Sequence, residues 1–262
     1  MGLSEEIKRV VAEALYWAEV RREPIEPLTD RYPELTVREA YEIQLLVVRR
    51  KMSEGARVVG KKIGLTSPAM QRMLGVDQPD YGHLLDRMQV AEGGMIECAR
   101  LIQPRVEGEI AFLLKRDLVG PGVGIEHVVA ATEAVVPALE VIDSRIREWR
   151  IRLADTIADN ASSGLFVLGE PWHRVEEFDL TEVEMSLRCR GEEVLRGRGE
   201  AVLGHPARAV AWLANALAEL GTGLKAGEIV LSGSLGAARA VQPGDLVEAD
   251  FGAFGRVSVH FV

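Results

Sequence analysis

The chain has 262 residues, 40 acidic against 31 basic side chains, and a formal net charge of -9. That length supports a large unit with a real core. There is no basic run with interleaved aromatics and no apolar stretch of transmembrane length, which argues against nucleic acid, anionic membranes and a membrane span.

The first predicted helix covers residues 5–22. Ser4 is its candidate N-cap, Glu5 and Glu6 suit the positive end of its dipole, and Ile7, Val11, Ala14, Leu15 and Ala18 form one apolar stripe. Pro24 and Pro27 close it. Thr36 and Glu39 make a capping box for a second helix running to about Ser53. Residues 56–65 read as a strand. Ser67-Pro68 opens a short helix that Gly75 ends, and the loop GVDQPDYG follows. Strand-like runs then dominate, at 105–114, 138–143, 164–169, 182–190, 192–196, 228–232, 245–251 and 256–262, with Arg190-Gly191 as a hairpin turn. Two helices interrupt them, at 125–136 and 206–220. Strands in bunches, without strict alternation with helices, predict an α+β fold. The expected organisation is one unit over 1–262, with a mainly helical N-terminal lobe (1–75) and a β-rich core (76–262). Cys98 and Cys189 are the sole cysteines, and the N-terminus MGLSEEIKRVVAEALYW lacks the order of a signal peptide. A reducing, cytoplasmic compartment is therefore expected.

The chemistry concentrates in a few places. Within PRVEGEIAFLL, Glu107 and Glu109 sit two apart on a predicted strand and so share a face, roughly 7 Å apart at Cα. A solvated strand face is the plain reading. The flanking Val106 and Ile110 argue instead for burial, which costs several kcal/mol per unpaired carboxylate and is offset by a divalent cation. Carboxylate oxygens suit Mg²⁺, Mn²⁺ or Ca²⁺. Glu140, inside the apolar run VVPALEVI, is the candidate third ligand. Asp143 faces the other way, as a turn or salt-bridge residue.

In VVGKKIG, Lys61 and Lys62 point to opposite faces. One can be solvated while the other turns inward between Gly60 and Gly64, where a second group can approach closely. Asp80 lies on a turn-forming loop. The polar segment DTIADNASSG, with Asp159 and Asn160, reads as caps and turns. Ser232, Gly233 and Ser234 follow an apolar strand and can present N–H groups to an anion. The five histidines, at 83, 127, 173, 205 and 260, have no zinc-ligand spacing.

The blocks VVGKKIGLTS, LGVDQPDYG, LIQPRVEGEIAFLLKRDLVGPGV, PALEVIDSRIREW, DTIADNASSGLFVLG, VAWLANAL and LKAGEIVLSGSL together resemble the bacterial 2-hydroxypenta-2,4-dienoate (2-oxopent-4-enoate) hydratases of aromatic meta-cleavage pathways. These belong to the fumarylacetoacetate hydrolase superfamily. The resemblance runs nearly end to end. It implies a mixed-sheet roll, a divalent cation (Mg²⁺ or Mn²⁺) on Glu107, Glu109 and Glu140, and an active-site lysine and aspartate at Lys62 and Asp80. A pKa lowered by burial and the cation would let Lys62, near the metal, shuttle protons. Substrate contacts are expected from Ser232, Gly233, Ser234, Asp159 and Asn160. The expected partner is a small 2-hydroxydienoate. A homo-oligomer is expected too, as is association with a decarboxylase of the same pathway. The 4-oxalocrotonate decarboxylases share the glutamates and the lysine. Their pattern lacks the aspartate of P-D-Y-G and carries Leu before the lysine, where this chain has Asp80 and Lys61. The hydratase is therefore expected first and the decarboxylase second. A non-catalytic partner subunit holding structural Ca²⁺ is a third reading, against which the intact Lys62 and Asp80 weigh.

Overall fold

Two long helices open the chain, and both begin as their caps dictate. Helix α1 (Glu5–Arg21) starts where the Ser4 hydroxyl accepts the Ile7 N–H, and it ends at Arg22 in a left-handed cap. Helix α3 (Val37–Ser53) follows a single-turn α2 (Leu28–Arg31) and carries the expected Thr36–Glu39 capping box. Arg50 pairs with Glu13 and Lys51 with Glu19, tying α3 to α1. The computed structural model describes residues 2–67, 71, 76 and 78–262. The short helix expected from Ser67-Pro68 to Gly75 lies outside the described residues.

The remainder is built on two sheets. The larger contains β1 (Val58–Gly64), β2 (Asp80–Leu85), β3 (Gln89–Val90), β5 (Arg105–Leu114), β6 (Thr132–Ile142), β7 (Ser163–Leu168) and β10 (Ile229–Ser234). Their order is β2-β1-β10-β5-β6-β7-β3, with β11 (Arg239–Ala240) added beside β5. The smaller sheet takes β4 (Met95–Ile96), β8 (Glu184–Cys189), β9 (Glu192–Arg198), β12 (Leu246–Asp250) and β13 (Arg256–Phe261), in the order β4-β13-β12-β8-β9. Parallel and antiparallel pairs both occur, so the sheets are mixed, as the α+β reading expects. Strand β1 falls within 1–75 and is nonetheless an inner strand of the main sheet.

Strand β5 sorts its side chains by parity. Val106, Ile110 and Phe112 face the smaller sheet and share a core with Met185, Leu187, Val247 and Val257. Gly108 lies on that same face because a Cβ there would sit 2.9 Å from Met185 Cε. The other parity is Arg105, Glu107, Glu109 and Ala111. Ala111 joins Ala138, Phe166, Leu231 and Val48 of α3 in a separate core. The helical region packs its own core, in which Val11, Leu15, Ile43 and Val47 meet Ile146, Ile157 and Ala158.

Three elements differ from expectation. The helix predicted over 125–136 is α4 (Ile125–Ala131) and stops there; Thr132 begins β6, an eleven-residue strand, where the sequence predicts 138–143. Thr132, Val135 and Val136 are β-branched, and Pro137 cannot sit in a helix interior, so pairing with β5 wins. The expected loop at Asp80 is instead the first residue of β2, opposite Gly64. The polar segment from 155 forms α5 (Leu153–Ala158), whose Asp155 carboxylate accepts from the N–H of Thr29 and Arg152. Helix α6 (Pro206–Glu219) matches expectation. No helix among the described residues is long and apolar enough to cross a membrane.

Behind β2, His83 is buried and its Nδ1 lies 2.9 Å from the Gln44 side-chain oxygen. Burial, with Lys61 nearby, pushes its pKa down to about 4. The unfolded chain takes up this proton near pH 6.5, the folded chain only near 4, so stability from this residue is lost as pH falls through that window. The loss reaches about 3 kcal/mol. Urea unfolding at pH 7, 6, 5 and 4 should show that acid slope, and His83→Gln should flatten it; identical slopes in both proteins would refute the assignment.

Candidate active site

Strand register assembles the carboxylates. Glu107 stands directly opposite Glu140 across β5 and β6, and Glu109 lies one pleat along on the same face. Carboxylate oxygens of all three fall within 4.8 Å of one another. Between β10 and β5 the register shifts at Ser232 and Gly233, and this bulge aims the Gly233 N–H at Glu109 Oε2, 2.8 Å away. Gly233 has φ +109, and a Cβ there would meet Thr66 Oγ1 at 2.4 Å, so the position requires glycine.

Among the described residues, Glu109 Oε1 and both Glu140 oxygens are buried without a hydrogen bond. Lys62 Nζ stands 3.3 Å from Glu140 Oε2 as an ion pair. Burial, then the charge of Glu140, pushes Glu107 up to about 7. Burial and its two neighbours raise Glu109 well above the usual carboxylate range, and burial raises Glu140 despite Lys62. Three oxygen ligands in one small volume, several of them orphaned, fit a hard divalent cation.

Both lysines of β1 are buried, against the expectation that one is solvated, because β1 lies between β2 and β10. Lys61 is on the far face, paired with Glu228 at 2.7 Å. Lys62 shares the carboxylate face and donates to the Ala161 carbonyl at 2.9 Å. Burial works to lower its pKa, in the expected direction, but the charges of Glu140, Asp80, Glu107 and Glu109 outweigh it and favour the ammonium. Asp80 accepts from the Thr156 hydroxyl at 3.2 Å, and burial raises its pKa against the pull of Lys62. Asp80 and Lys62 converge over Gly64, where a Cβ would lie 2.3 Å from Asp80 Oδ1 and 3.5 Å from Lys62 Nζ.

The carbonyl that receives Lys62 belongs to an unusual turn. Asn160, Ala161 and Ser162 all have left-handed backbone, with φ of 55, 51 and 54. The Asn160 amide binds both backbone groups of His83. The Asp159 carboxylate accepts from the Ser144 hydroxyl and the Arg145 N–H, and it ion-pairs with the Arg145 guanidinium. Burial raises its pKa to about 6 against that guanidinium. Arg145 also donates to the Asp143 and Ser163 carbonyls. Asp143 caps Ile102 and Gln103 N–H groups, in keeping with a turn role. Asp159 and Asn160 therefore spend their polar groups on the protein itself.

A cavity of about 320 Å³ opens beside this cluster, lined by Lys62, Asp80, Glu107, Arg105, Ser234 and Trp149, among others. It suits a small organic acid. Ser234 reaches it while its hydroxyl hydrogen-bonds Gly236. Ser232 is buried with an unpartnered hydroxyl outside the cavity wall, and the Gly233 N–H is taken by Glu109. Sequence reasoning did not single out Arg105, Trp149 or Arg145; the signal for Arg145 was its place one residue beyond Asp143-Ser144.

Residues 85–262 match the family model described as fumarylacetoacetate (FAA) hydrolase C-terminal. The chain belongs to the fumarylacetoacetate hydrolase family. Within it, the chain is 48% identical over 249 residues to a 2-hydroxyhexa-2,4-dienoate hydratase of Comamonas testosteroni, covering 94% of each. It is 42% identical over 260 residues to a 4-oxalocrotonate decarboxylase of Pseudomonas putida, covering 99% of this chain and 98% of that one. The structure superposes with a TM-score of 0.97, at 40% identity and over 99% of both chains, on the 4-oxalocrotonate decarboxylase from Pseudomonas putida G7 complexed with magnesium and adipate.

Glu109→Gln tests the cluster from two sides. The amide oxygen keeps the Gly233 bond while one like charge disappears. Mn²⁺ affinity by calorimetry should fall by more than the roughly 10–100-fold typical of an outer-shell partner, and the melting temperature in EDTA should rise. Unchanged metal affinity with a lower melting temperature would count against a ligand role.

Proposed function

We propose that the chain is a divalent-metal-dependent hydratase that adds water to 2-hydroxypenta-2,4-dienoate, giving 4-hydroxy-2-oxopentanoate. The coarser statement is firm: the chain belongs to the hydratase and decarboxylase branch that acts on 2-hydroxy- or 2-oxo-dienoate acids. The observation that carries the finer reading is the buried Asp80–Lys62 pair converging over Gly64 beside the carboxylates. Decarboxylation needs chiefly an electron sink. Hydration also needs a proton delivered to one carbon and another removed from water, which calls for an acid–base pair.

Glu107, Glu109 and Glu140 would hold the cation, which supplies Lewis acidity for the substrate's carboxylate and 2-oxygen when bound. Lys62 and Asp80 handle the proton transfers onto C5 of the dienol and off the water that adds at C4, while the proton given up by the 2-hydroxyl is balanced by one taken up at C3. Lys62 is kept in place by the Ala161 carbonyl, and Asp80 by Thr156. Asp159 and Asn160 act by fixing the turn that presents that carbonyl, and Ser234 contributes to the wall. The apolar Ile142 and Ile151 keep bulk water from the reacting carbons.

The decarboxylase is the second reading, favoured by the fold match to the adipate-bound enzyme. Freshly prepared 2-hydroxypenta-2,4-dienoate and 2-oxohex-3-enedioate, each with Mg²⁺ or Mn²⁺ and after chelation, separate the two. Metal-dependent loss of dienoate absorbance with formation of 4-hydroxy-2-oxopentanoate is expected. CO₂ release from the diacid with the dienoate untouched would overturn it. Lys62→Met and Asp80→Asn should each lower kcat by about 100-fold or more while Mn²⁺ still binds.

A further inference from the structure

Two cationic side chains line the cavity among the described residues, Lys62 and Arg105. Lys62 is committed to Glu140 and to the Ala161 carbonyl. The Arg105 guanidinium makes no hydrogen bond or ion pair among the described residues, and its carbon lies 4.5 Å from the centroid of the Trp149 ring. Its charge pulls the Glu107 pKa down, less than that of Lys62 does. A fork with five N–H donors thus lies over an aromatic face with no hydrogen-bond partner among the described residues.

The platform beneath it is built. The Trp149 Nε1–H donates to the Gln103 carbonyl at 3.1 Å. Glu148 and Trp149 both adopt left-handed backbone, with φ of 58 and 56, which costs energy for residues with side chains. That turn sets the ring beside Gln103, two residues before Arg105. Arg105 in turn lies on the same face of β5 as Glu107 and Glu109, one pleat outward from the metal ligands. The wall around it includes the apolar Ile142, Ile151, Ala237 and Ala238; Glu107 is the neighbouring carboxylate on its strand face, and no ion pair joins the two among the described residues.

We propose that Arg105, held on Trp149, is the residue that binds a carboxylate of the substrate. The inference rests on the reading above for the ligand class, a short 2-oxo or 2-hydroxy acid. The guanidinium fork meets the carboxylate with paired N–H donors, and so anchors the acid independently of the cation.

Mn²⁺-loaded protein titrated with pyruvate and with 2-oxoglutarate provides the test, because neither probe requires turnover. Arg105→Met keeps an apolar stem on Trp149 and removes the fork. It should weaken binding by at least about 10-fold, with Mn²⁺ affinity and melting temperature unchanged, and Arg105→Lys should recover part of the loss. Probe binding should alter tryptophan emission in the parent protein, and less so in Trp149→Phe. Loss for both probes assigns the fork to the carboxylate next to the oxo group, as expected; loss for 2-oxoglutarate alone assigns it to a far carboxylate, which 2-hydroxypenta-2,4-dienoate lacks, and would overturn the proposal for that substrate. Changes under about threefold for both, or no binding of either probe by the parent protein, would overturn the proposal. Failure of the hydratase reading shows separately, as absent dienoate turnover with probe binding intact.

Discussion

Mutual repulsion among three clustered carboxylates, two of them buried and Glu107 half-buried, is the constraint around which this protein is arranged. Glu107, Glu109 and Glu140 share one face of a sheet whose other face is a dry core. Carboxylates so placed do not all ionise without a counter-charge. The structure meets part of that demand with the Lys62 ammonium and one backbone N–H from a bulge. Among the described residues it leaves three carboxylate oxygens without a hydrogen bond, a demand a hard cation would satisfy. The neighbouring features follow from this imbalance. Lys62 stays charged in spite of complete burial, Asp80 is drawn toward it, and Gly64 and Gly233 are small because the groups crowd above them.

A further ring of interactions holds that arrangement in place without touching the cavity's contents. Arg145 gathers Asp159 and the Asp143 and Ser163 carbonyls into one buried knot, and Asn160 clasps both backbone groups of His83. Together they stabilise three successive left-handed residues whose middle carbonyl meets Lys62. Strain of this kind persists only where surrounding contacts over-determine it. Here those contacts come from α3 through Gln44, from β2, and from the turn after β6, so the helical region and the sheet are joined at the site.

How much of this was legible in the sequence depends on whether the cause was local. The parity of Glu107 and Glu109 is a property of any strand, and the apolar neighbours of Glu140 marked it as anomalous. Both readings hold in the structure. The capping box at Thr36 is equally local. The assignment of Lys61 and Lys62 was not local: both faces of β1 are covered, and a partner 167 residues away, Glu228, distinguishes them. The helix expected to 136 failed because pairing with β5 overrode a helix-compatible start. Asp80 looked like a loop residue since Pro79 and Gly82 flank it, yet Gly64 across the ladder makes it a strand end. Arg105 and Trp149 are 44 positions apart, and nothing in either neighbourhood announces that one lies on the other.

The direct opposition of Glu107 and Glu140 also limits how such a chain can change length over evolutionary time. The segment between the two strands, including α4, can gain or lose residues at the surface without disturbing the ladder. A single insertion or deletion inside β6 before Glu140 is different. It turns that carboxylate to the face occupied by Met185 and Leu187 and puts a valine or leucine among the acids. Descendants of this protein are thus free to diversify their loops and substitute their cavity walls, while the count of residues along the two central strands is fixed.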